Sequence, residues 1–329
     1  MLKRLPSIFA IAGIILAVTA PSWAQAVVAK FSTTVVRPAE SYPLLDHVAE
    51  RVKALTGATM QVELLPPFAS ERDMFESVLL GQSQLQASSV EAFGQWVPEA
   101  RVLSLPFFYK SLDDAVAVAN GPVGELIRKK AEAKGFVVFG LMPIGQRLVI
   151  AKTPITKLAD FKGRKTRIIN SPIWISLYQA FGAIPVPMDW NDVYQSLQSG
   201  VIDAIDAGLG GSMAAKHYEV AKFALATNHS IQFQVIAASG RWWKSLSDDH
   251  RKAVSTAMAE GLPIQLQAFR QLLKIQSEDW VKLGGTIAEP SPEFQKEIQA
   301  AAAKAAPSYA KVLGGEDIIK LARQSMGQP

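Results

Sequence analysis

The segment D-F-K-G-R-K-T-R-I-I-N, residues 160–170, places an arginine where an anion could be bound. Gly163 predicts a turn, Arg167 lies in the strand beyond it, and a helix is predicted to start near Ser171. A guanidinium group donates two parallel hydrogen bonds to a carboxylate, and a helix N-terminus adds N–H donors and positive potential. The pattern favours an anion site at Arg167, although the segment alone is also compatible with a surface arginine paired with an acidic side chain.

Two further motifs contain residue types that are used in catalysis or cofactor binding. Asp203 and Asp206 could form the carboxylate pair of a glycosidase-type hydrolase. Nothing else in the sequence supports that chemistry, so we expect each of them to cap a helix or to lie in a turn. The run Gly208–Ser212 resembles an incomplete dinucleotide-binding loop, since it lacks the third spaced glycine, and is interpreted as a flexible loop.

Metal and cofactor motifs are missing from the sequence. The four histidines, at positions 47, 217, 229 and 250, lack the spacing of a metal site, which favours surface or packing roles. The sequence contains no cysteine, which excludes disulfides, thiolate metal sites and cysteine catalysis. There is no P-loop and no G-x-S-x-G elbow. We therefore expect no cofactor, no metal and no enzymatic activity.

The N-terminus predicts export. Met1–Ala26 has two basic residues, a short apolar stretch and small residues near its end, which is typical of a cleaved signal peptide. The alternative, a membrane anchor, needs about 20 apolar residues, more than this stretch offers. Without Lys3 and Arg4 the chain has 32 basic and 29 acidic residues, and this charge of +3 is scattered, so nucleic-acid binding is not expected. We expect a soluble periplasmic protein without a lipid anchor.

The elements that must position these residues alternate between strands and helices, which predicts an α/β fold with a mostly parallel sheet. The first half of the pattern predicts strands at Val27–Thr34 and Met60–Leu65, with helices over Tyr42–Leu55 and from Ser70 to Gly81. Further along, the pattern predicts a helix at Asn191–Ser199 and strands at Phe136–Leu141, Arg147–Ala151, Val201–Ala204 and Ile231–Ala238.

The last third of the chain predicts one unusually long helix. Helical spacing of apolar residues runs from Ser247 to Gly284, which exceeds the usual length of a globular helix. Pro263 lies inside this run and is expected to kink or split the helix. A helix of this length can span two domains. The tail from Pro292 is alanine-rich and is also predicted to be helical.

Several segments together resemble the DctP-type solute-binding proteins of TRAP (tripartite ATP-independent periplasmic) transporters, from Ala29 to about Leu321. V-P-E-A-R-V-L-S-L-P-F-F (97–108) is close to the P-E-x-x-V-x-x-L-P-F segment of the family, and F-E-S-V-L-L-G (75–81) resembles its helix ending in glycine. L-A-D-F-K-G-R-K-T-R (158–167) matches D-x-K-G-x-K-x-R. G-A-I-P-V-P-M (182–188), followed by D-V-Y-Q-S-L-Q-S-G-V-I-D (192–203), matches G-A-x-P-x-P-M and E-V-Y-x-A-L-Q-x-G-x-x-D.

The resemblance implies a fold of two α/β lobes, joined by crossing strands and one long helix. It also implies a ligand cleft between the lobes that closes about a hinge. The implied division is a signal peptide at 1–26, lobe I at 27–146 plus about 236–265, and lobe II at 147–235 plus about 266–329.

The resemblance assigns ligand-binding roles as well. The selectivity arginine of the family, which grips the carboxylate of the solute, falls on Arg167, and a second arginine near the ligand falls on Arg147. The other positions that we expect to contact the ligand are Asn170, Trp190, Thr34, Ser89 and Asp206. Packing, capping or salt-bridge roles remain open for Trp190, Asn170 and Arg147.

The sequence also departs from the family pattern. Where the family often continues G-x-E-N-P, this chain has A-I-D-A-G (204–208), so that Ala207 replaces an asparagine or aromatic residue and opens space. Ser89 stands where some binders of acidic sugars carry a carboxylate. These departures favour a compact or partly apolar acid over a long polyhydroxylated one.

The resulting interpretation is a periplasmic binding subunit of a TRAP transporter. It would capture an organic acid anion, a carboxylate or a sulfonate, and deliver it to the small and large permease subunits in the membrane. One alternative is an ABC-type periplasmic solute receptor, against which the long helix and the D-x-K-G-x-K-x-R segment argue. The other is an exported carboxylate-dependent hydrolase that uses Asp203 and Asp206.

Overall fold

The computed structural model describes residues 26–33, 42–66 and 70–327. The predicted signal peptide therefore lies outside the described residues, except for Ala26, and so does Thr34. Across the described ranges, no helix combines the length and the apolar character that crossing a membrane requires.

Nine strands in the described residues form one sheet, in the order β2-β1-β3-β8-β4-β7-β5-β6, with β9 beside β8. Pairing is parallel among β1, β2 and β3 and again among β5, β6 and β7, whereas β4 and β8 run antiparallel to their neighbours in this order. The strands are β1 (Val27–Thr33), β2 (Met60–Leu64), β3 (Leu85–Ser89), β4 (Phe136–Ala151), β5 (Lys165–Ile168), β6 (Ile184–Pro187), β7 (Ala204–Gly208), β8 (Phe223–Ser239) and β9 (Thr286–Ala288).

Two long strands connect the two parallel groups. β4 has 16 residues and β8 has 17, and they pair along their length from Phe136–Ser239 to Ala151–Phe223. The register shifts at three places along the pair, one of them between Pro143 and Gly145. The prediction of two separate strands in this part of β4 was wrong, because a bulge lets a strand continue past a proline that donates no hydrogen bond.

Thirteen α-helices lie among the described residues. They are α1 (Tyr42–Leu55), α2 (Glu71–Leu80), α3 (Val90–Phe93), α4 (Leu112–Asn120), α5 (Pro122–Ala133), α6 (Pro172–Ala180), α7 (Val193–Ser199), α8 (Leu209–Ala214), α9 (Gly240–Ser245), α10 (Asp248–Lys282), α11 (Pro292–Ala305), α12 (Tyr309–Val312) and α13 (Asp317–Ser325). Short 3₁₀ turns lie at Pro98–Ser104, Leu158–Phe161, Trp190–Asp192, His217–Glu219 and Ala306–Ser308.

The capping residues explain where several helices begin and end. The hydroxyl of Ser70 accepts a hydrogen bond from the Asp73 amide at the start of α2, and Gly81 ends that helix with a positive φ of 79°. The hydroxyl of Ser247 caps α10 in the same way, and this helix continues through Pro263 for 35 residues without splitting. The prediction of one long helix is confirmed.

Two local predictions near residue 204 were wrong. The strand predicted at Val201–Ala204 lies instead at Ala204–Gly208, and the predicted flexible loop at Gly208–Ser212 falls largely within α8. Burial decides in both cases. All five residues of β7 are buried, and in α8 Leu209 and Ser212 are buried despite the neighbouring glycines.

The core is divided between the two ends of the sheet, and at each end it covers both faces. Along β8, Val235 and Ala237 belong to one apolar cluster while Ile236 and Ala238 belong to another, as expected for alternating side chains. Two further apolar clusters lie at the other end of the sheet. Val149 of β4 belongs to the cluster on one face, and Leu148 belongs to the cluster on the opposite face. This packing accounts for two α/β halves around one continuous sheet.

α10 bridges the two halves of the core. Its residues Val254 and Met258 pack with α1 at one end, while Trp280 packs in a cluster with β7 at the other end. The tail returns to the first half, since Tyr309 and Ile318 lie in the cluster that contains Val235. The exact division of the chain into two lobes stays a prediction.

Candidate functional site

A small cavity of about 50 Å³ lies where β3, β5 and β7 approach the crossing strands β4 and β8. Most of the predicted ligand-binding residues line it: Arg167, Arg147, Trp190, Ser89 and Asp206. Two do not. Asn170 is exposed and is not part of the lining, and Thr34 lies outside the described residues, although its neighbour Thr33 lines the cavity.

Arg167 is buried in β5 without an acidic partner among the described residues. Its side chain has 4% exposure, and its Nε and Nη2 atoms donate to the backbone oxygen of Met188 at 3.0 and 2.8 Å. Burial, and then the positive charge of Arg147, lower the pKa of Arg167 to about 10. A cation that is desolvated without a counter-ion is costly, so this cavity is electrostatically prepared for an anion.

The helix that follows contributes less than the sequence suggested. α6 begins at Pro172 after Ser171, but neither residue lines the cavity. The hydroxyl of Ser171 makes no capping hydrogen bond at this helix. In this structure the anion-binding capacity of the segment therefore rests on the guanidinium group of Arg167.

Trp190 forms a wall beside Arg167. The guanidinium carbon of Arg167 lies 5.3 Å from the centroid of the Trp190 ring, within the range of a cation–π contact. On its other side, Trp190 meets the ring of His217 edge-on, with centroids 4.9 Å apart. Burial, and then the charge of Arg167, lower the pKa of His217 to about 3, so this imidazole is neutral at physiological pH.

Arg147 lies in a different electrostatic setting, deep in β4. Its Nη1 atom pairs with Oδ1 of Asp206, and its Nη2 atom lies 3.2 Å from Oε1 of Glu91. Burial alone would lower the pKa of Arg147, but the attraction of Asp206 and Glu91 outweighs burial and raises it. The guanidinium group also stacks 4.8 Å from the ring centroid of Trp174. The protein itself thus neutralises this arginine.

Asp206 is part of the same buried network, so its expected turn or cap role was wrong. Its Oδ2 atom lies 2.9 Å from Nε2 of His229, and its side chain is fully buried. Burial opposes ionisation, but Arg147 and then His229 lower the pKa of Asp206 below its usual range. Asp203 accepts a hydrogen bond from the Lys165 amide at 2.9 Å and does not line the cavity. The two carboxylates therefore do not form an acid/base pair in the cavity.

Four further members of this network, Glu91, Trp174, His229 and Thr227, could not be assigned from the sequence. Glu91 is fully buried and also accepts a hydrogen bond from Nε1 of Trp174 at 3.3 Å. His229 donates or accepts at Thr227, 2.8 Å away, as well as at Asp206. The only sequence signal was the presence of an acid and a histidine within otherwise apolar runs.

A carboxylate on the other wall of the cavity was also missed. Glu71, in the first turn of α2, lines the cavity and accepts hydrogen bonds from Ser88 and Ser89. Burial raises the pKa of Glu71, and these hydrogen bonds only partly oppose that effect. The sequence showed Glu71 merely as an acid near a helix start.

The remaining histidines agree with the predicted surface or packing roles. His47 lies 3.4 Å from the carboxylate of Glu260, and His250 lies 3.1 Å from the hydroxyl of Thr59. Within the described part of the chain, no group of three or more histidine and acidic side chains is arranged to hold a metal ion.

Comparison with known proteins identifies the relatives of this chain. Residues 31–312 match the model of the family described as DctP, bacterial extracellular solute-binding protein, family 7. The C4-dicarboxylate-binding periplasmic protein DctP of Rhodobacter capsulatus is 30% identical over 248 residues, 74% of each chain. The 2,3-diketo-L-gulonate-binding periplasmic protein of Escherichia coli is 29% identical over 66% of each chain.

A solved structure agrees with this assignment. A TRAP periplasmic solute-binding protein from Sulfurospirillum deleyianum, with bound succinate, superimposes with a TM-score of 0.84 at 27% identity, covering 90% of this chain and 98% of that one. The two-lobed α/β fold expected from the sequence is therefore confirmed. By the family model and these relatives, the chain belongs to the DctP family of bacterial extracellular solute-binding proteins.

Proposed function

We propose that this protein is the solute-binding subunit of a TRAP transporter and that it captures an organic acid anion through Arg167. The observation that carries the proposal is the buried guanidinium group of Arg167 in the cavity, which makes no salt bridge with any described residue. A carboxylate that replaced Met188 as its main partner would supply the missing charge and accept two parallel hydrogen bonds.

The ligands named for the relatives support an acid. A C4-dicarboxylate, 2,3-diketo-L-gulonate and succinate are named for the proteins compared above, and each carries a carboxylate. The cavity itself supports a compact solute, because its volume is small and Ala207 adds only a methyl group to its wall. A sulfonate offers similar oxygen acceptors and remains within the proposal.

Closure of the two halves supplies the transport signal. Ser88 and Ser89 reach the cavity from the end of β3, whereas Arg167 and Trp190 reach it from the other half of the sheet. A solute that contacts both walls stabilises the closed state over the open one. The small and large permease subunits would then recognise the closed surface.

Binding without turnover fits the chemistry of the cavity. Asp206 is held ionised by Arg147 and His229. It is therefore a poor proton shuttle, and Asp203 is not part of the cavity. We infer a receptor that performs no reaction. We place it in the periplasm, after removal of a signal peptide within residues 1–26.

A thermal-shift screen tests the proposal. The mature protein is stripped of ligand and tested against carboxylates, sulfonates, neutral sugars and amino acids. A ligand present at 100 times its Kd adds about 2.7 kcal/mol of stability, which raises the Tm of a 300-residue protein by about 4 °C.

Two arginine variants give the experiment its control. Arg167→Gln removes the cavity cation, whereas Arg164→Gln removes an arginine of the same segment that bonds to Thr153 and the backbone of Asp160 instead. An acid should stabilise wild type and Arg164→Gln but not Arg167→Gln. Stabilisation by neutral sugars alone, or an undiminished acid effect in Arg167→Gln, would contradict the proposal.

A further inference from the structure

The cavity that contains Arg167 also contains an opposite charge on its other wall. Glu71 enters from the first turn of α2 and lines the cavity together with Arg167, and its negative charge partly opposes the lowering of the pKa of that arginine. No salt bridge joins the two side chains among the described residues. A solute placed between them would therefore meet a cation with one end and a carboxylate with the other.

The hydrogen bonds of Glu71 define what that carboxylate can still do. Its Oε1 atom accepts from the Ser88 hydroxyl at 2.8 Å and from the Ser89 amide at 3.1 Å. Its Oε2 atom accepts from the Ser89 hydroxyl at 2.9 Å. A carboxylate has about four acceptor sites, so one site on Oε2 has no donor among the described residues and can accept from a solute.

These three donors also hold the side chain in place and favour its charged form, opposing the burial that raises the pKa of Glu71. The amide of Ser89 can only donate, and the Ser89 hydroxyl already accepts the capping hydrogen bond of the Ala92 amide, 3.2 Å away. Its own proton is thus free to point at Glu71. The cavity presents a fixed acceptor here rather than a mobile acid.

The charges along the lining decide which solutes are favoured. Arg147 and Asp206 neutralise each other, which leaves the cation of Arg167 and the anion of Glu71. A second carboxylate on the solute would face Glu71 as a like charge, and like charges held close together across an interface are strongly unfavourable. A hydrogen-bond donor at the same position would instead fill the free acceptor site.

We propose that Glu71 makes the site selective for acids that carry one carboxylate and, at the other end, a hydroxyl or ammonium donor. Dicarboxylates of equal length are rejected. This inference rests on the proposed binding of an acid by Arg167 and differs from what the names of the dicarboxylate-binding relatives would suggest. The specificity of the site therefore depends on the side chain of Glu71, which lies outside the D-x-K-G-x-K-x-R segment.

Isothermal titration with matched solutes tests the inference. At each of three chain lengths, an α,ω-diacid is compared with the ω-hydroxy acid and the ω-amino acid, for example succinate with 4-hydroxybutanoate and 4-aminobutanoate. In wild type we expect the hydroxy or amino acid to bind at least tenfold more tightly than the diacid at the length that fits. The two donor types distinguish a hydroxyl from an ammonium solute.

Two variants separate the role of Glu71 from general effects. Glu71→Gln keeps the size of the side chain but removes its charge, and should reduce the preference to about threefold or less, mainly by improving diacid binding. Glu76→Gln changes an exposed acid of the same helix that pairs with Arg72, and should leave the preference unchanged.

The outcomes are distinguishable. The inference is overturned if wild type binds the diacid as tightly as the hydroxy and amino acids of the same length. It is also overturned if Glu71→Gln keeps the wild-type preference for these acids over the diacid. If Glu71→Gln fails to fold, the wild-type ratio alone decides. Absence of binding by every acid, together with binding of neutral sugars, would overturn the proposed function itself rather than this selectivity.

Discussion

Two buried arginines, 20 positions apart in the sequence, lie in opposite electrostatic situations. Arg147 is surrounded by Asp206 and Glu91 and has its pKa raised, whereas Arg167 donates to a backbone oxygen, has no salt bridge among the described residues and has its pKa lowered. Both stack near a tryptophan ring. The same residue type therefore serves the fold in one place and is reserved for a ligand in the other.

The position of each arginine explains this difference. Arg147 lies in β4, close to a shift in register with β8, so a buried ion-pair network here joins the strands that connect the two halves. Arg167 lies in β5, which belongs to one half alone, and lines the cavity. Arg147, which is paired within the protein, therefore lies in the strands that connect the two halves, whereas Arg167, which we propose to pair with a solute, lies on the cavity wall.

The largest expected effect is on stability, from Arg147→Met. Removing this guanidinium group leaves Asp206 and Glu91 as buried charges without their cation, which typically costs about 3–5 kcal/mol. Chemical denaturation of the ligand-free protein measures the loss. The double variant Arg147→Met, Asp206→Asn should recover part of it. A single variant as stable as wild type would contradict the structural role of Arg147.

The next effect is on binding, from Arg167→Gln. Loss of the cation should weaken acid binding by about 2–5 kcal/mol, since truncating one partner of a buried charge pair has a cost of that size. The stability of the ligand-free protein should stay equal or rise, because a desolvated cation is removed. Titration calorimetry and denaturation of the same sample check both parts. A large loss of stability would place Arg167 in the same class as Arg147.

This contrast also marks how far the sequence could predict the molecule. Local signals were sufficient for α1, α2 and α10, because caps such as Ser70 and Ser247 and regular apolar spacing specify helices on their own. They failed for β7 and α8, where burial against distant elements outweighs the low helix propensity of glycine.

The site was predicted in the same uneven way. Arg167 was found because the motif and the chemistry of a guanidinium group agree within a few residues. The partners of Arg147 could not be found, since Glu91 and Asp206 lie 56 and 59 positions away. The pairing of β4 with β7 brings Asp206 to Arg147, and the packing of α3 brings Glu91. Glu71 was missed for the same reason, because it lies in α2 whereas its serine partners lie at the end of β3.

A third prediction concerns pH and the Arg167 side of the comparison. His217 has a pKa of about 3 in the folded protein, against about 6.5 when unfolded. The unfolded chain thus binds more protons between these values, and the stabilisation is complete above pH 6.5 and lost as the pH falls toward 3. When the pH falls from 7 to 5, His217 should lower the free energy of unfolding by about 2 kcal/mol.

The variant His217→Asn isolates that effect. Its stability should change less than that of wild type between pH 7 and pH 5, as measured by denaturation at each pH. His250→Asn, which changes an exposed histidine bonded to Thr59, serves as the control and should follow wild type. Parallel curves for wild type and His217→Asn would show that His217 is not held neutral beside Trp190.

The smallest effect distinguishes the two tryptophans. Trp174 is fully buried beside Arg147 and donates to Glu91, whereas Trp190 is half-buried on the cavity wall beside Arg167. Trp190→Leu should therefore weaken acid binding by about 0.5–2 kcal/mol, the range of a cation–π contact, with little change in stability. Trp174→Leu should instead lower stability first. Calorimetric titration measures acid binding and denaturation measures stability for both variants. If Trp174→Leu weakened binding while Trp190→Leu lowered stability, the ligand site would lie at Arg147 instead of Arg167.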